Sequence, residues 1–196
     1  MFTAEHNSLI DGAVQFLRRG GVIAFPTDTV YGLGVDPHDD KAVKRLFEIK
    51  VRSKGKAVPL MIRGAGDLNL VAESIPASAK LLIKKHWPGP LTIVLSKSEK
   101  VSPLISGGKG TVAVRCPDHP IALGILVRFG RPLAVTSANI SGEEALCAFE
   151  EVSVEFSSKV DLIVPGEVRY KIVSTVVDFT VEPPVVLREG ALKIEV

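Results

Sequence analysis

Apolar positions recur along the chain with two spacings, one helical and one extended. Ile10, Ala13, Val14 and Leu17 mark one face of a helix capped by Asn7 or Ser8 and stopped by Gly20-Gly21. Residues 22–25, VIAF, form a short apolar run read as a buried strand. In residues 39–50, DDKAVKRLFEIK, an acidic start and the stripe Val43, Leu46, Phe47 predict a second helix. Strands are predicted at 57–62, 91–96, 111–115 and 132–137, and again near 161–164, 173–179 and 185–188. Residues 67–86 read as one or two helices, with Pro76 suited to a first turn. Residues 118–130 read as a helix capped by Asp118, with Gly130 just past its end, and a last helix falls around 147–158. Strands and helices alternate over most of the length. The pattern predicts an α/β fold with helices packed on a sheet, and no linker-like stretch divides it, so residues 1–196 are expected to form a single domain.

Composition narrows the class. Of 196 residues, 46% are hydrophobic and 23% charged, enough apolar surface for a sizeable core and too little charge for a disordered chain. The net charge of +2 does not indicate a non-specific nucleic-acid coat, so any basic site must come from local clustering. Cys116 and Cys147 cannot make a disulfide framework, which favours free thiols and a cytoplasmic location. No signal peptide and no apolar run of membrane-spanning length is visible, so no membrane partner is expected.

Several stretches carry candidate chemistry. In FPTDTVYGLG, residues 25–34, an apolar strand ends abruptly on Thr27, Asp28 and Thr29, followed by Gly32 and Gly34. In open α/β sheets ligands bind beyond the carboxyl ends of strands, so these polar groups stand where such a ligand would sit. The same residues also suit a turn that satisfies its own backbone. In KVRSKGK, residues 50–56, the cations Lys50, Arg52, Lys54 and Lys56 recur at every second position. In an extended chain they share one face about 20 Å long, comparable with a nucleoside triphosphate. A solvated basic loop is the competing account. Arg115 at the end of TVAVR suits a bidentate clamp for a carboxylate or phosphate, or an edge salt bridge. VTSANISG, VSTVVDF and VLREG repeat the arrangement, an apolar strand followed by hydroxyls, an amide or an arginine. Several such ends together favour a shared polar cleft. The chain contains no P-loop, and its histidines and cysteines lack zinc-ligand spacing.

GGVIAFPTDTVYGLGVDP, LFEIKVRSKGK, WPGPLTIVL, TVAVRCPDHP, TSANISG, STVVD and VLREG, in this order from about residue 8 to 192, resemble the YrdC-type threonylcarbamoyl-adenylate synthases. Each motif is modest, and seven in order are highly specific. The resemblance implies a YrdC-like open, twisted mixed sheet with flanking helices and a basic central cleft. It implies an enzyme that makes threonylcarbamoyl-AMP and pyrophosphate from L-threonine, bicarbonate and ATP, with Mg2+ carried on the nucleotide. A partner complex would then transfer the threonylcarbamoyl group to tRNA, to the adenosine beside the anticodon. Binding of tRNA or another double-stranded RNA is a further implication. By the same resemblance Thr29, Arg115, Thr175 and backbone near Val135 fall on the L-threonine side. Lys50, Arg52, Lys56, Thr111, Ser137, Asn139 and Arg188 fall on the nucleotide side, with Lys50 and Arg52 the expected neutralisers of the leaving pyrophosphate. The ending at Val196 matches the short, single-domain form of the family.

The chain departs from the family pattern in places. Ser53 and Ala57 stand where prolines are common, and Glu189 intervenes beside Arg188. Residues 143–148, EEALCA, replace a segment that usually carries a proline and a small hydroxyl residue, at the place where the resemblance implies a nucleotide contact near Ala145. Two rivals follow from the same residues. A non-catalytic RNA-binding module would use the same cations on RNA phosphates, against the weak net charge and the lack of clustered aromatics. The hydrogenase-maturation carbamoyltransferases contain a related domain, but with zinc-finger and acylphosphatase-like regions that this sequence does not carry.

Overall fold

The computed structural model describes residues 3–51 and 55–195. The first helix, α1 (Ala4–Arg18), starts earlier than the sequence suggests, because Thr3 Oγ1 accepts the His6 backbone N–H and caps it. It ends at the predicted glycines. The strand β1 (Ile23–Phe25) is followed by β2 (Gly32–Val35), and α2 (Asp40–Ile49) is capped by the Asp39 carboxylate on the N–H groups of Lys41 and Ala42. The predicted strand at 57–62 contracts to β3 (Leu60–Met61), and the predicted 67–86 helical region divides into a 3-10 helix (Ala65–Leu70) and α3 (Ala77–His86). Pro76 is the residue before α3 and not within its first turn. Then come β4 (Leu91–Ser96), α4 (Pro103–Ser106), β5 (Thr111–Arg115) and α5 (Pro120–Phe129). His119 occupies the cap position of α5, while Asp118 pairs with Arg169 at 2.8 Å. Gly130 ends α5 in the left-handed conformation (φ 84°), as predicted. The chain closes with β6 (Leu133–Ser137), α6 (Phe149–Phe156), β7 (Leu162–Ile163), β8 (Thr175–Asp178) and β9 (Val185–Arg188).

The nine strands among the described residues join one mixed sheet in the order β7-β1-β2-β6-β3-β5-β4-β8-β9. The pairs β1/β7, β3/β5 and β4/β8 are parallel and the others antiparallel. Because side chains alternate along a strand, each strand feeds two faces. On one face Ala24, Leu33, Leu60, Val114, Ile93 and Val177 pack with Val43 and Phe47 of α2, Ile83 of α3 and Phe156 of α6 in the larger core. On the other face Ile23, Phe25, Met61, Leu133 and Val135 pack beneath α1 and α5, through Ile10, Val14, Leu17, Ile125 and Leu126.

The helix pair α1/α5 covers only part of that second face. The positions of β4, β5 and β8 that share the face are Thr92 and Val94, Ala113 and Arg115, and Val176. Val94, Ala113 and Val176 are only partly buried, whereas Ile93, Val114 and Val177 on the opposite face are fully buried. The uncovered area is the floor of a cleft. Among the described residues no helix is long and apolar enough to cross a membrane.

The α1/α5 cover is held by apolar contact, and Leu17 is only 1% exposed within it. Leu17→Ala is expected to cost about 3 kcal/mol and to lower the thermal midpoint by about 10 °C, measured by circular dichroism. A change under about 2 °C would show that the pair does not cooperate with the sheet.

Candidate functional site

The cleft has a volume of about 230 Å3. Its lining includes Thr27, Thr29 and Gly32 from the β1–β2 region, Met61 from β3, Ala113 and Arg115 from β5, and Thr92 from β4. Val135 and Ser137 of β6, Ser174 before β8, Val176 of β8 and Arg188 of β9 also line it. The site is therefore the open half of one sheet face, with the loop after β1 as one wall. It is not a crevice beyond the strand ends, which is where a doubly wound sheet would put it. The register explains why: Thr92 is opposite Arg115, and Val176 is opposite both Thr92 and Arg188. Gly32 is opposite Ser137, and a Cβ there would stand 2.8 Å from Val135 Cγ1. The glycine keeps the Val135 side chain where it is.

Arg115 is the hub. It is 5% exposed and three acceptors fix its guanidinium: Gly89 O for Nε at 3.0 Å, Thr29 Oγ1 for Nη1 at 2.6 Å and Asp28 Oδ1 for Nη2 at 2.5 Å. Burial pushes its pKa below the usual arginine value, and the Asp28 carboxylate opposes that shift by charge and hydrogen bonding. Asp28 is fully buried behind Arg115, and its Oδ2 has no hydrogen-bond partner among the described residues. Its carbonyl accepts from the N–H groups of Arg169 and Tyr170, which pins the loop. Thr27 supplies the turn expected of it, donating to Val30 O at 2.7 Å and accepting from Thr29 N at 3.2 Å. It also faces the cleft, so the turn and the lining role coincide.

Arg188 approaches from the opposite rim. Ser174 holds it, with O accepting from Nε at 3.0 Å and Oγ from Nη2 at 3.1 Å, while the Ser174 and Thr92 hydroxyls meet at 2.8 Å. Partial burial lowers the Arg188 pKa first, and the charge of Arg115 adds to the effect. The two guanidinium groups thus sense one another across the cleft, and Asp28 is buried behind only one of them.

The structure brings Thr29, Arg115, Val135, Ser137 and Arg188 together as expected. The other described candidates do not line the cleft, although Lys50 and Asn139 are joined to Ser137. Thr175 lies on the face opposite the cleft, 0% exposed, where its hydroxyl donates to Leu192 O and accepts from the N–H groups of Gly190 and Leu192. Strand alternation gives the cleft position to Ser174 and Val176 instead. Thr111 shares a face with Arg115 but sits at the other end of β5, opposite Ser96. The extended cationic face expected of residues 50–56 is not formed at its start. Lys50 is the C-cap of α2 in a helical conformation, 1% exposed, and Val51 has φ 50°. The Lys50 ammonium donates to Ser137 O, Asn139 O and Asn139 Oδ1 at 2.5, 2.8 and 2.9 Å. Asn139 in turn accepts from Ser137 Oγ at 2.6 Å and donates to the carbonyls of Ile140 and Glu143. Lys50 and Asn139 thus shape the turn that carries Ser137 into the cleft. Lys56 is exposed. Arg52 lies outside the described residues, as does Lys54.

Thr92 and the pairing role of Asp28 escape the motif reading. Thr92 is the one polar residue in the apolar start of LTIVLS, and a period-two reading with Arg115 in register would have marked it. The Asp28–Arg115 pair spans 87 positions and left no local signal.

A family model named for Sua5, YciO and YrdC, and described as "Telomere recombination", matches residues 15–190. A threonylcarbamoyl-AMP synthase of Pyrococcus abyssi (strain GE5 / Orsay) is 46% identical over 184 residues, which is 93% of this chain and 54% of that protein. The crystal structure of P. abyssi Sua5 complexed with L-threonine superposes with a TM-score of 0.89 at 46% identity, covering 92% of this chain and 54% of that one. The crystal structure of E. coli YciO superposes with a TM-score of 0.86 at 34% identity, covering 93% of this chain and 89% of that one. The chain spans about half the length of the Pyrococcus protein and of a Bacillus subtilis relative, and most of the length of YciO.

Two outcomes follow from the site's electrostatics. Asp28→Ala removes the counter-charge of a buried guanidinium and is expected to cost about 3–5 kcal/mol in urea unfolding. A cost under about 1 kcal/mol would mean the pair is dispensable. Cys116 is also buried beside Arg115, and burial pushes its thiol up to about 12 from 9.0. A raised pKa favours the neutral thiol in the folded state. Its stabilising effect is full below pH 9 and is lost as pH rises towards about 12. Cys116→Ala should flatten the alkaline loss of stability in that window, read as the difference in unfolding free energy between pH 8.5 and 11.

Proposed function

The chain belongs to the Sua5/YciO/YrdC family, and from that premise we propose that it is an L-threonylcarbamoyladenylate synthase, acting on L-threonine, bicarbonate and ATP. The observation that carries the reading is the pairing of Arg115 and Arg188 around one hydroxyl-lined cleft, with Asp28 as counter-charge for Arg115. That balance leaves about one positive charge for an anionic ligand, and small hydroxyls to orient it.

In the proposed reaction the threonine amine attacks CO2 derived from bicarbonate and releases a proton, giving a carbamate. A carbamate oxygen then attacks the α-phosphorus of ATP, and the P–O bond to pyrophosphate breaks. No protein nucleophile is required. The chain's contribution is positioning and stabilisation of developing charge. Arg115, held by Asp28 and Gly89 O, and Thr29 form the threonine side, with Val135 beside them. Ser137, set by Lys50 and Asn139, and Arg188, set by Ser174, form the nucleotide side. By the family resemblance Arg52 and Lys56 would be further cations for the phosphates, and Thr111 would extend that side along β5. Thr175 contributes by fixing residues 190–192 close behind Arg188.

The described residues include no group of three or more histidine, cysteine or carboxylate side chains able to hold a metal. A resident Mg2+ cage does not fit this lining. In the proposal Mg2+ arrives on the ATP phosphates as part of the substrate. The product would pass to a complex that transfers the threonylcarbamoyl group to tRNA, an assignment resting on family membership. Both cysteines are free, which suits a cytoplasmic setting.

The test is pyrophosphate release from ATP and bicarbonate with and without L-threonine, with serine and valine as controls. Threonine-dependent release is expected. Arg188→Ala should lower turnover about 100-fold. Folded wild-type protein that releases no pyrophosphate but binds RNA would overturn the enzymatic reading in favour of an RNA-binding one.

A further inference from the structure

The Thr29 hydroxyl has a direction, and the direction decides what it can bind. Arg115 Nη1 lies 2.6 Å from Thr29 Oγ1, Thr29 Oγ1 lies 3.0 Å from Thr27 Oγ1, and Thr27 Oγ1 lies 2.7 Å from the carbonyl oxygen of Val30. Two oxygens this close need a proton between them. The Val30 carbonyl has none to give, so the single Thr27 proton lies on that line. The contact between the two hydroxyls must then use the proton of Thr29. A guanidinium has no acceptor, so Thr29 accepts from Arg115. The Thr29 proton and one of its two lone pairs are committed inside the wall. What remains for the cleft is a lone pair. The arrangement is not free to reverse, because both threonines are 1% exposed and the Thr27 proton is held on the Val30 carbonyl; Thr27 Oγ1 also accepts from the backbone N–H of Thr29 at 3.2 Å and, more weakly, from that of Val30 at 3.4 Å.

We infer that Thr27 is a positioning residue that fixes Thr29 as a hydrogen-bond acceptor in the cleft, so that Thr29 meets an N–H or O–H donor of the ligand and not its carboxylate. The identity of that ligand as L-threonine rests on the function proposed above. A carboxylate placed at Thr29 would set two acceptors face to face. It belongs on the guanidinium groups, and the amino or hydroxyl group belongs on Thr29. An amine held through its N–H keeps its lone pair for attack on carbon. A hydroxyl held there would give the site its means of rejecting valine, which lacks the donor.

A double-mutant cycle tests this with Thr27→Val, Thr29→Val, the double variant and Thr27→Ser. The readouts are KM for threonine, KM for ATP and kcat from pyrophosphate release, with calorimetric threonine binding and the thermal midpoint alongside. Thr27→Val frees the Thr29 proton to turn into the cleft. Each single valine variant is expected to raise the threonine KM about tenfold with the ATP KM unchanged. The double variant should be no worse than either single one, and Thr27→Ser should restore the threonine KM. An unchanged threonine KM in Thr27→Val overturns the inference. So does an additive double variant, the result expected if Thr27 acted only on the loop backbone. Should Thr27→Val fail to fold, Thr27→Cys, a weaker acceptor of similar size, replaces it in the cycle. Threonine-over-valine preference lost in Thr29→Val assigns the donor to the hydroxyl, and preference kept assigns it to the amine. Wild-type protein without threonine-dependent release overturns the proposed function and this inference together, whereas an active wild type with an unaltered Thr27→Val overturns the inference alone.

Discussion

The buried pair of Asp28 and Arg115 is the constraint on which the cleft depends. An arginine with 6% of its side chain exposed cannot stand in a protein interior without a counter-charge, and the fully buried Asp28 is the group that supplies it. The pair joins the loop after β1 to the end of β5, which is four strands away from β1 in the sheet. The same guanidinium reaches Gly89 in the turn before β4 and Thr29 on the far wall. One side chain therefore fixes the distance between the two walls. The pair is monodentate, since Arg115 divides its terminal nitrogens between Asp28 and Thr29. That division is what turns a structural ion pair into a means of orienting a hydroxyl.

The sheet provides the floor by leaving one face half-covered. The helices α1 and α5 pack against the β1, β2, β6 and β3 part of it, and the larger core fills the opposite face along its length. At β5, β4 and β8 the uncovered face carries Arg115, Ala113 and Thr92, with no apolar side chain larger than Val94 and Val176 among these positions. Large apolar residues there would have been driven to find a covering helix. Small and polar ones leave the face open at little cost, because burying them would gain little apolar area. The cleft is thus a consequence of which strand positions are apolar on both faces and which on one.

Much of this was legible in the sequence, for identifiable reasons. The elements with strong periodicity, such as α2 with Val43, Leu46 and Phe47, or β4 and β5, lie where the pattern put them. Errors fell where a local cue competed with a tertiary one. Asp118 has the chemistry of a helix cap, yet Arg169 takes its carboxylate and His119 holds the cap position. The alternation of cations in KVRSKGK suggested one extended cationic face, but Lys50 is the C-cap of the preceding helix and turns its ammonium to the carbonyls of Ser137 and Asn139. Thr175 and Ser174 are equal candidates by composition, and only the register of β8 against β4 and β9 tells which one faces the cleft. Partnerships across the fold, such as Asp28 with Arg115 or Ser174 with Arg188, depend on sheet order, which no local motif encodes.

Lys50 shows how a residue outside the cleft lining can still bear on the site. Its ammonium is bound to Ser137 O and to two oxygens of Asn139, and its carbonyl accepts from Ser141 N. The end of α2 and the turn after β6 are therefore one unit. Ser137, which lines the cleft, leaves from that unit. A buried ammonium bound to backbone carbonyls has strict geometric needs, because each donor left without an acceptor would cost free energy. An arginine could not meet them in the same space, since its planar fork differs in shape from a compact ammonium. On this view lysine is required at position 50 for the shape of the 137–141 turn. Phosphate contacts on the nucleotide side would then fall to residues beyond it and to Arg188, whose guanidinium keeps donors to spare after Ser174 has taken two.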